Sequence, residues 1–128
     1  MRLDQLDHLV LTVRDIGETI AFYTRVLGME KVTFSENRQA LAFGTQKINL
    51  HEAGNEFEPK ALHPKPGSAD LCFLTSESLA RVMKHLENCG VDILEGPIDR
   101  TGAQGPIESI YIRDPNGNLI EIANQLPL

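Results

Sequence analysis

The chain carries the same run of elements twice, and that repeat constrains its fold more than any other feature. A shift of 62 residues takes Asp7–Val13 onto Ala69–Thr75 and Gly28 onto Gly90. Asp7-His8-Leu9-Val10-Leu11-Thr12-Val13 alternates and is rich in β-branched residues, so it reads as a strand with His8, Val10 and Thr12 on one face. A helix follows. Asp15 is placed as its N-cap with Glu18 three residues on, Ile16, Ile20, Tyr23 and Leu27 form an apolar stripe, and Gly28 stands where a helix ends in a left-handed turn. Three short strands are expected around 30–35, 39–43 and 47–51.

The second copy runs in the same order. Ala69–Thr75 is a strand, Leu79, Val82, Met83 and Leu86 mark a helix face, and strands are expected around 92–94, 108–112 and 118–123. Asp114-Pro115-Asn116-Gly117 is a turn between the last two, with proline at its second position and glycine able to take positive φ. Residues 53–68 hold Pro59, Pro64 and Pro66 and read as a loop. The fold class is therefore α+β: two βαβββ modules, about 5–52 and 69–124, joined by a linker of about 53–68 in one 128-residue domain.

The repeat also says which residues are equivalent. His8 corresponds to Asp70 and, once the extra residues in Pro97–Ile107 are allowed for, Asn49 corresponds to Glu121. If each module curls into a half-barrel, its first and last strands present these positions to one cavity. His51 shares a strand face with Asn49. Imidazole nitrogen together with carboxylate oxygen suits a divalent Zn, Ni, Fe or Mn ion, and a site with open positions acts as a Lewis acid.

Two stretches carry a family resemblance. Residues 7–13 with Thr19-Ile20-Ala21-Phe22-Tyr23 and Val26-Leu27-Gly28-Met29, and then Asp114-Pro115-Asn116-Gly117-Asn118-Leu119-Ile120-Glu121, resemble the opening and closing motifs of vicinal-oxygen-chelate proteins, the glyoxalase, bleomycin-resistance and dioxygenase superfamily. Asn49-Leu50-His51-Glu52 through Phe57-Glu58-Pro59-Lys60 resembles a branch of glyoxalase-domain-containing proteins of undefined activity, including enterobacterial members labelled virulence proteins. The resemblance implies the glyoxalase fold, a homodimer, and a metal held by His8 and Glu121. It also exposes two departures: Asn49 stands where glyoxalase I has a glutamate or glutamine ligand, and Asp70 where the second module usually has a histidine.

Either His51 or Asp70 can complete the set. With His8, His51 and Glu121 as ligands, Asp70 is left as a base, and Glu121 also serves in proton transfer; Asn49 and Arg100 line the pocket. The expected chemistry is lactoylglutathione-lyase-like, a lyase or isomerase step next to a carbonyl on a small oxygen-chelating substrate. The alternatives are a metal-free drug or metabolite binder of the bleomycin-resistance type, or a thiol transferase or dioxygenase on the same scaffold. Arg100, Gly102 and Gly105 are read as a segment able to close over a ligand or as a long hairpin. His63 and His85 are expected to face solvent, Arg113 to pair with Asp114 at the surface, and Cys72 and Cys89 to be buried free thiols.

Composition limits the partners. The formal net charge is −6 and no basic run is present, which excludes a nucleic-acid backbone as the expected partner. No apolar run is long enough to span a bilayer, and the acidic N-terminal segment lacks a signal-peptide core, so a cytoplasmic setting is expected.

Overall fold

In the computed structural model, which describes residues 1–128, the chain forms two compact units, residues 1–67 and 68–128. The first contains β1 (His8–Val13), α1 (Ile16–Arg25), β2 (Glu30–Phe34), β3 (Arg38–Phe43) and β4 (Gln46–Glu52). The second contains β5 (Asp70–Leu74), α2 (Leu79–Asn88), β6 (Glu95–Gly102), β7 (Gly105–Arg113) and β8 (Leu119–Gln125). Both are βαβββ, as the repeat requires. Their sheets run β1-β4-β3-β2 and β5-β8-β7-β6, with the first and last strand of each unit parallel and the other neighbours antiparallel. A parallel pair needs a crossover, and the helix with two further strands supplies it.

Local chemistry explains the helices. The Asp15 carboxylate accepts the Glu18 amide at 2.8 Å and caps α1, while Ser78 accepts the Arg81 amide and caps α2. Gly28 and Gly90 take positive φ just past the helix ends. The buried stripe of α1 centres on Thr19, Tyr23 and Val26; Ile16, Ile20 and Leu27 flank it half-buried. These close on the sheet face carrying Leu11, Val13, Leu41, Ile48 and Leu50, and in the second unit Leu79 and Leu86 close on Ile110, Ile112, Ile120 and Ile122. Each such side chain contributes roughly 1.5–3 kcal/mol by leaving water.

The turn after β7 is bound to β5. Asp114, 4% exposed, accepts the Asn116 and Asn118 amides at 2.8 and 3.0 Å on one carboxylate oxygen, and the Asn118 side-chain amide at 2.8 Å on the other. Asn118 Oδ1 then accepts the Ala69 amide at 2.9 Å, which holds the start of β5 beside β8. Asn124 does the same at the other end, donating to the carbonyls of Thr75 and Glu77 and accepting the Leu79 amide.

Three expectations are corrected. The strand expected around 92–94 begins at Glu95, and of the two readings of Arg100, Gly102 and Gly105 the long hairpin is the one found, a regular β6–β7 hairpin turning at Ala103-Gln104 with Arg100 inside a strand. Alternation is broken there by Pro97 and a register shift between Glu95 and Ile98, which hides the strand in the sequence. Cys72 is exposed, because it faces away from the helix-covered side of its sheet, and Cys89 is half-buried; neither is in a disulfide. Arg113 donates to the Gly117 carbonyl at 3.3 Å, while the buried Asp114 carboxylate serves the turn. His63 and His85 are exposed, as expected.

Asp114→Ala strands three donors, two of them beside the buried Asn118. The expected loss is about 2–4 kcal/mol of stability, read as a lower urea midpoint with an unchanged m-value; an unchanged midpoint would refute the role given to this turn.

Candidate functional site

In each unit one sheet face is closed by the helix, and the opposite face carries the polar side chains. Strand register decides which residues share that face. In the first unit His8 stands opposite Lys47, Val10 opposite Asn49 and Thr12 opposite His51. In the second, Asp70 stands opposite Leu119 and Cys72 opposite Glu121. Asn49 and Glu121 are thus register equivalents, as are His8 and Asp70, which open their strands.

His8 is half-exposed, and its Nδ1 lies 2.9 Å from Asp7 Oδ2. This carboxylate contact orients the ring and leaves Nε2 free, the arrangement usual behind a metal-bound imidazole. His51 is different. It is 3% exposed, its Nε2 lies 3.4 Å from an Arg38 guanidinium nitrogen, and its ring meets Phe57 edge-on at 5.5 Å. Burial first, then the Arg38 charge, hold its pKa below the usual imidazole value; Glu56 opposes this and Lys60 adds to it. Neutral Nε2 accepting from Arg38 accounts for the contact.

Within the first unit, His8 and His51 are not brought together. His8 and His51 sit four residues apart along neighbouring strands, which is roughly 13 Å at strand rise. An Arg38 guanidinium nitrogen lies against His51 Nε2. Asn49, 7% exposed, lies between their levels with its Oδ1 buried and unpartnered.

The second unit gathers the other polar group. Glu121 Oε2 accepts the Ser109 hydroxyl at 2.5 Å, and Glu121 stands between Cys72 on β5 and Tyr111 on β7. Ser109 is fully buried, so the carboxylate is held by a rigid donor. Asp70 is exposed and lies diagonally from Glu121 on the same face. Arg100 Nε donates to the Tyr111 hydroxyl at 3.0 Å, and another of its nitrogens lies 3.5 Å from Glu95 Oε1. The Cys72 thiol is pushed up to about 11, mainly by desolvation and then by Glu121, so it stays protonated near neutrality.

Within either unit no three His, Cys, Asp or Glu side chains are gathered into a metal-holding group. Each unit does hold one side chain of a metal-ligating type with a hydrogen-bonded partner: His8 beside Asp7 in the first, Glu121 beside Ser109 in the second. The donor chemistry of each, imidazole nitrogen or carboxylate oxygen, suits a divalent ion, and in the second unit the Asp70 carboxylate stands diagonal to Glu121.

Sequence reasoning missed Arg38, Lys47, Phe34 and Phe57 in the first unit and Ser109, Tyr111 and Glu95 in the second. Alternation in Ser109-Ile110-Tyr111-Ile112 contains the signal for two of them. Arg38 shares its strand face with Ala40 and Ala42, the same period-two signal. No local signal marks Phe57, which lies in the proline-rich loop.

Comparison with known proteins agrees with this architecture. Residues 5–122 match the model of the Glyoxalase/Bleomycin resistance protein/Dioxygenase superfamily. The chain is 61% identical over 123 residues to Virulence protein STM3117 of Salmonella typhimurium, covering 96% of this chain and 85% of that protein. The crystal structure of STM3117 superposes with a TM-score of 0.97, at 60% identity over 98% of this chain and 100% of that one. Glyoxalase domain-containing protein RDO1 of Mycosarcoma maydis is 60% identical over 93% of this chain and 67% of its own length. The fosfomycin resistance protein FosX of Listeria monocytogenes, solved with Mn(II) and sulfate, shares the fold at 21% identity and a TM-score of 0.67, over 98% of this chain and 93% of that one. No helix is long and apolar enough to cross a membrane.

Two measurements check these environments. His51 binds fewer protons folded than unfolded below its ordinary value, so its contribution to stability falls as pH drops from about 6.5 through the lowered folded value. Urea midpoints at pH 7.5 and 5.5 should differ more for the wild type than for His51→Gln; equal differences would refute the assignment. For Cys72, raised from 9.0 to about 11, the thiolate fraction is about a hundredfold below that of an ordinary thiol. Iodoacetamide labelling at pH 8 should be correspondingly slow and quicken in Glu121→Gln, and fast labelling of the wild type would contradict the environment described.

Proposed function

This chain belongs to the Glyoxalase/Bleomycin resistance protein/Dioxygenase superfamily, and from that premise we propose that it is a metal-dependent lyase or isomerase acting on a small molecule with two neighbouring oxygens. One observation carries the reading: the two side chains at the family's ligand positions, His8 and Glu121, are each oriented by a hydrogen-bonded partner as metal ligands are. The Mn(II) in FosX, a protein of the same fold, is consistent with it.

His8 Nε2 and the Glu121 carboxylate would hold the divalent ion, which when bound supplies Lewis acidity to the substrate oxygens. Asp7 keeps the imidazole in the tautomer whose free nitrogen faces outward. Ser109 keeps Glu121 from swinging, and its burial makes that restraint stiff. Asp70, exposed and diagonal to Glu121, is the base that takes a proton from the carbon beside the substrate carbonyl. Burial and the Glu121 carboxylate keep the Cys72 thiol protonated near neutrality, so it is not used as a nucleophile in this reading. The protein acts as a homodimer of the 14.2 kDa chain in the cytoplasm, where two free thiols are stable.

Elemental analysis tests the reading. Protein purified anaerobically should hold about one divalent ion per chain, and His8→Ala and Glu121→Gln should each lose it while keeping their fold. Ser109→Ala should weaken the metal by about 10–100-fold, and Asp70→Asn should retain it. Stoichiometric metal in both ligand variants, or loss of metal in Asp70→Asn, would overturn these assignments.

A further inference from the structure

The first unit has a charge arrangement that the metal reading does not use. With 18 acidic and 12 basic residues, this chain has carboxylates to spare, and several of its cations stand beside one: Arg2 by Asp4, Arg14 by Glu18, Lys60 by Glu56 and Glu58, Arg100 by Glu95. Arg38 and Lys47 do not. Arg38 is half-buried, its guanidinium 4.4 Å from the Phe57 ring centre and 5.5 Å from that of Phe34, with His51 Nε2 at 3.4 Å. Lys47 Nζ lies 3.9 Å from the centre of the same Phe34 ring. The nearby Glu56 carboxylate is taken by the Gly54 amide at 2.8 Å and by Lys60 at 3.5 Å.

A half-buried guanidinium without an anion is costly to keep, and stacking on two rings recovers only part of that cost. Next to it, Asn49 is 7% exposed and its buried Oδ1 has no partner. Asn49 lies on the same sheet face as His51, two residues away along β4. A buried acceptor without a donor beside a cation without an anion describes a ligand that supplies both.

We propose that Arg38, Lys47, His51 and Asn49 form a subsite for a substrate carboxylate that carries a neighbouring hydroxyl. The carboxylate takes the open edge of the Arg38 fork, with Lys47 adding charge from across the Phe34 ring; the hydroxyl donates to Asn49 Oδ1. His51 holds the guanidinium in place by accepting from it, so it is a positioning residue. Phe34 and Phe57 wall the subsite. A phosphate monoester dianion fits less well, because none of its terminal oxygens carries a proton to give to Asn49 Oδ1. The substrate class is thus a small 2-hydroxycarboxylate or its close derivative. As a statement about substrate this rests on the proposed reaction; its residues are different ones.

Calorimetric titration with 2-hydroxybutyrate tests it, with the neutral 2-hydroxybutyramide and inorganic phosphate as competitors, on protein as purified. Millimolar binding of the acid is expected, with no measurable binding of the amide. Arg38→Gln should weaken the acid at least tenfold and Lys47→Gln several-fold. Arg38→Gln also removes packing against two rings, so Lys47→Gln, at a half-exposed position, carries the test if the former fails to fold. The His51 ring resonances should shift on adding the acid in the wild type and stay in place in Arg38→Gln. The assignment is overturned if the amide binds as well as the acid, if phosphate binds more tightly, or if neither variant weakens binding. His8→Ala separates the two proposals. It should keep the acid while losing the metal, whereas loss of both would put the carboxylate on the ion and end this assignment. Wild-type protein without metal that still binds the acid would refute the proposed reaction alone.

Discussion

Each unit depends on the parallel pairing of its first strand with its last. Chain neighbours do not make this contact; the helix and the two strands between must be in place before the ends can meet. Once they do, register assigns every side chain of those strands to the helix-covered face or the open one, and a slip of one residue would exchange the two sets. The second unit secures its register with side chains. Asn118 reaches from the Asp114 turn to the Ala69 backbone, and Asn124 reaches from β8 to the start of α2. Three residues of polar chemistry therefore hold the geometry on which Glu121 depends.

The open faces of the two units differ in charge. Around Glu121 the second unit collects Asp70, Glu95 and a thiol kept protonated, balanced by Arg100. Around His51 the first unit collects cations and aromatic rings. An acidic face suits holding a metal ion, and a cationic, partly dry face suits an anionic substrate group. The chain's net negative charge makes the second arrangement the less expected one, and it concentrates on the few side chains of β3 and β4 that face away from α1.

Close relatives share this architecture at about three-fifths identity, while proteins with one-fifth identity share only the fold. A fold common to enzymes of different chemistry says little about the substrate, so the functional argument has to come from the side chains on the open faces. His8 and Glu121 speak for the metal. Arg38, Lys47 and Asn49 speak for an anionic group of the substrate.

Much of this was legible in the sequence. The 62-residue repeat, the Asp15 cap, the two helix-ending glycines and the Asp114–Gly117 turn are local signals, written in residues close together in the chain, and they were enough for two βαβββ modules. Period-two alternation likewise put Asn49 with His51 and made Asn49 the counterpart of Glu121. Tertiary structure alone decided the rest. It put His8 opposite Lys47 and not near His51, gave the His51 nitrogen to Arg38, set Ser109 under Glu121, and folded Phe57 from the proline-rich loop onto the guanidinium. These contacts join residues from different strands, and their distances follow from strand order and stagger, which depend on how the whole sheet pairs and leave no periodic trace in any one segment.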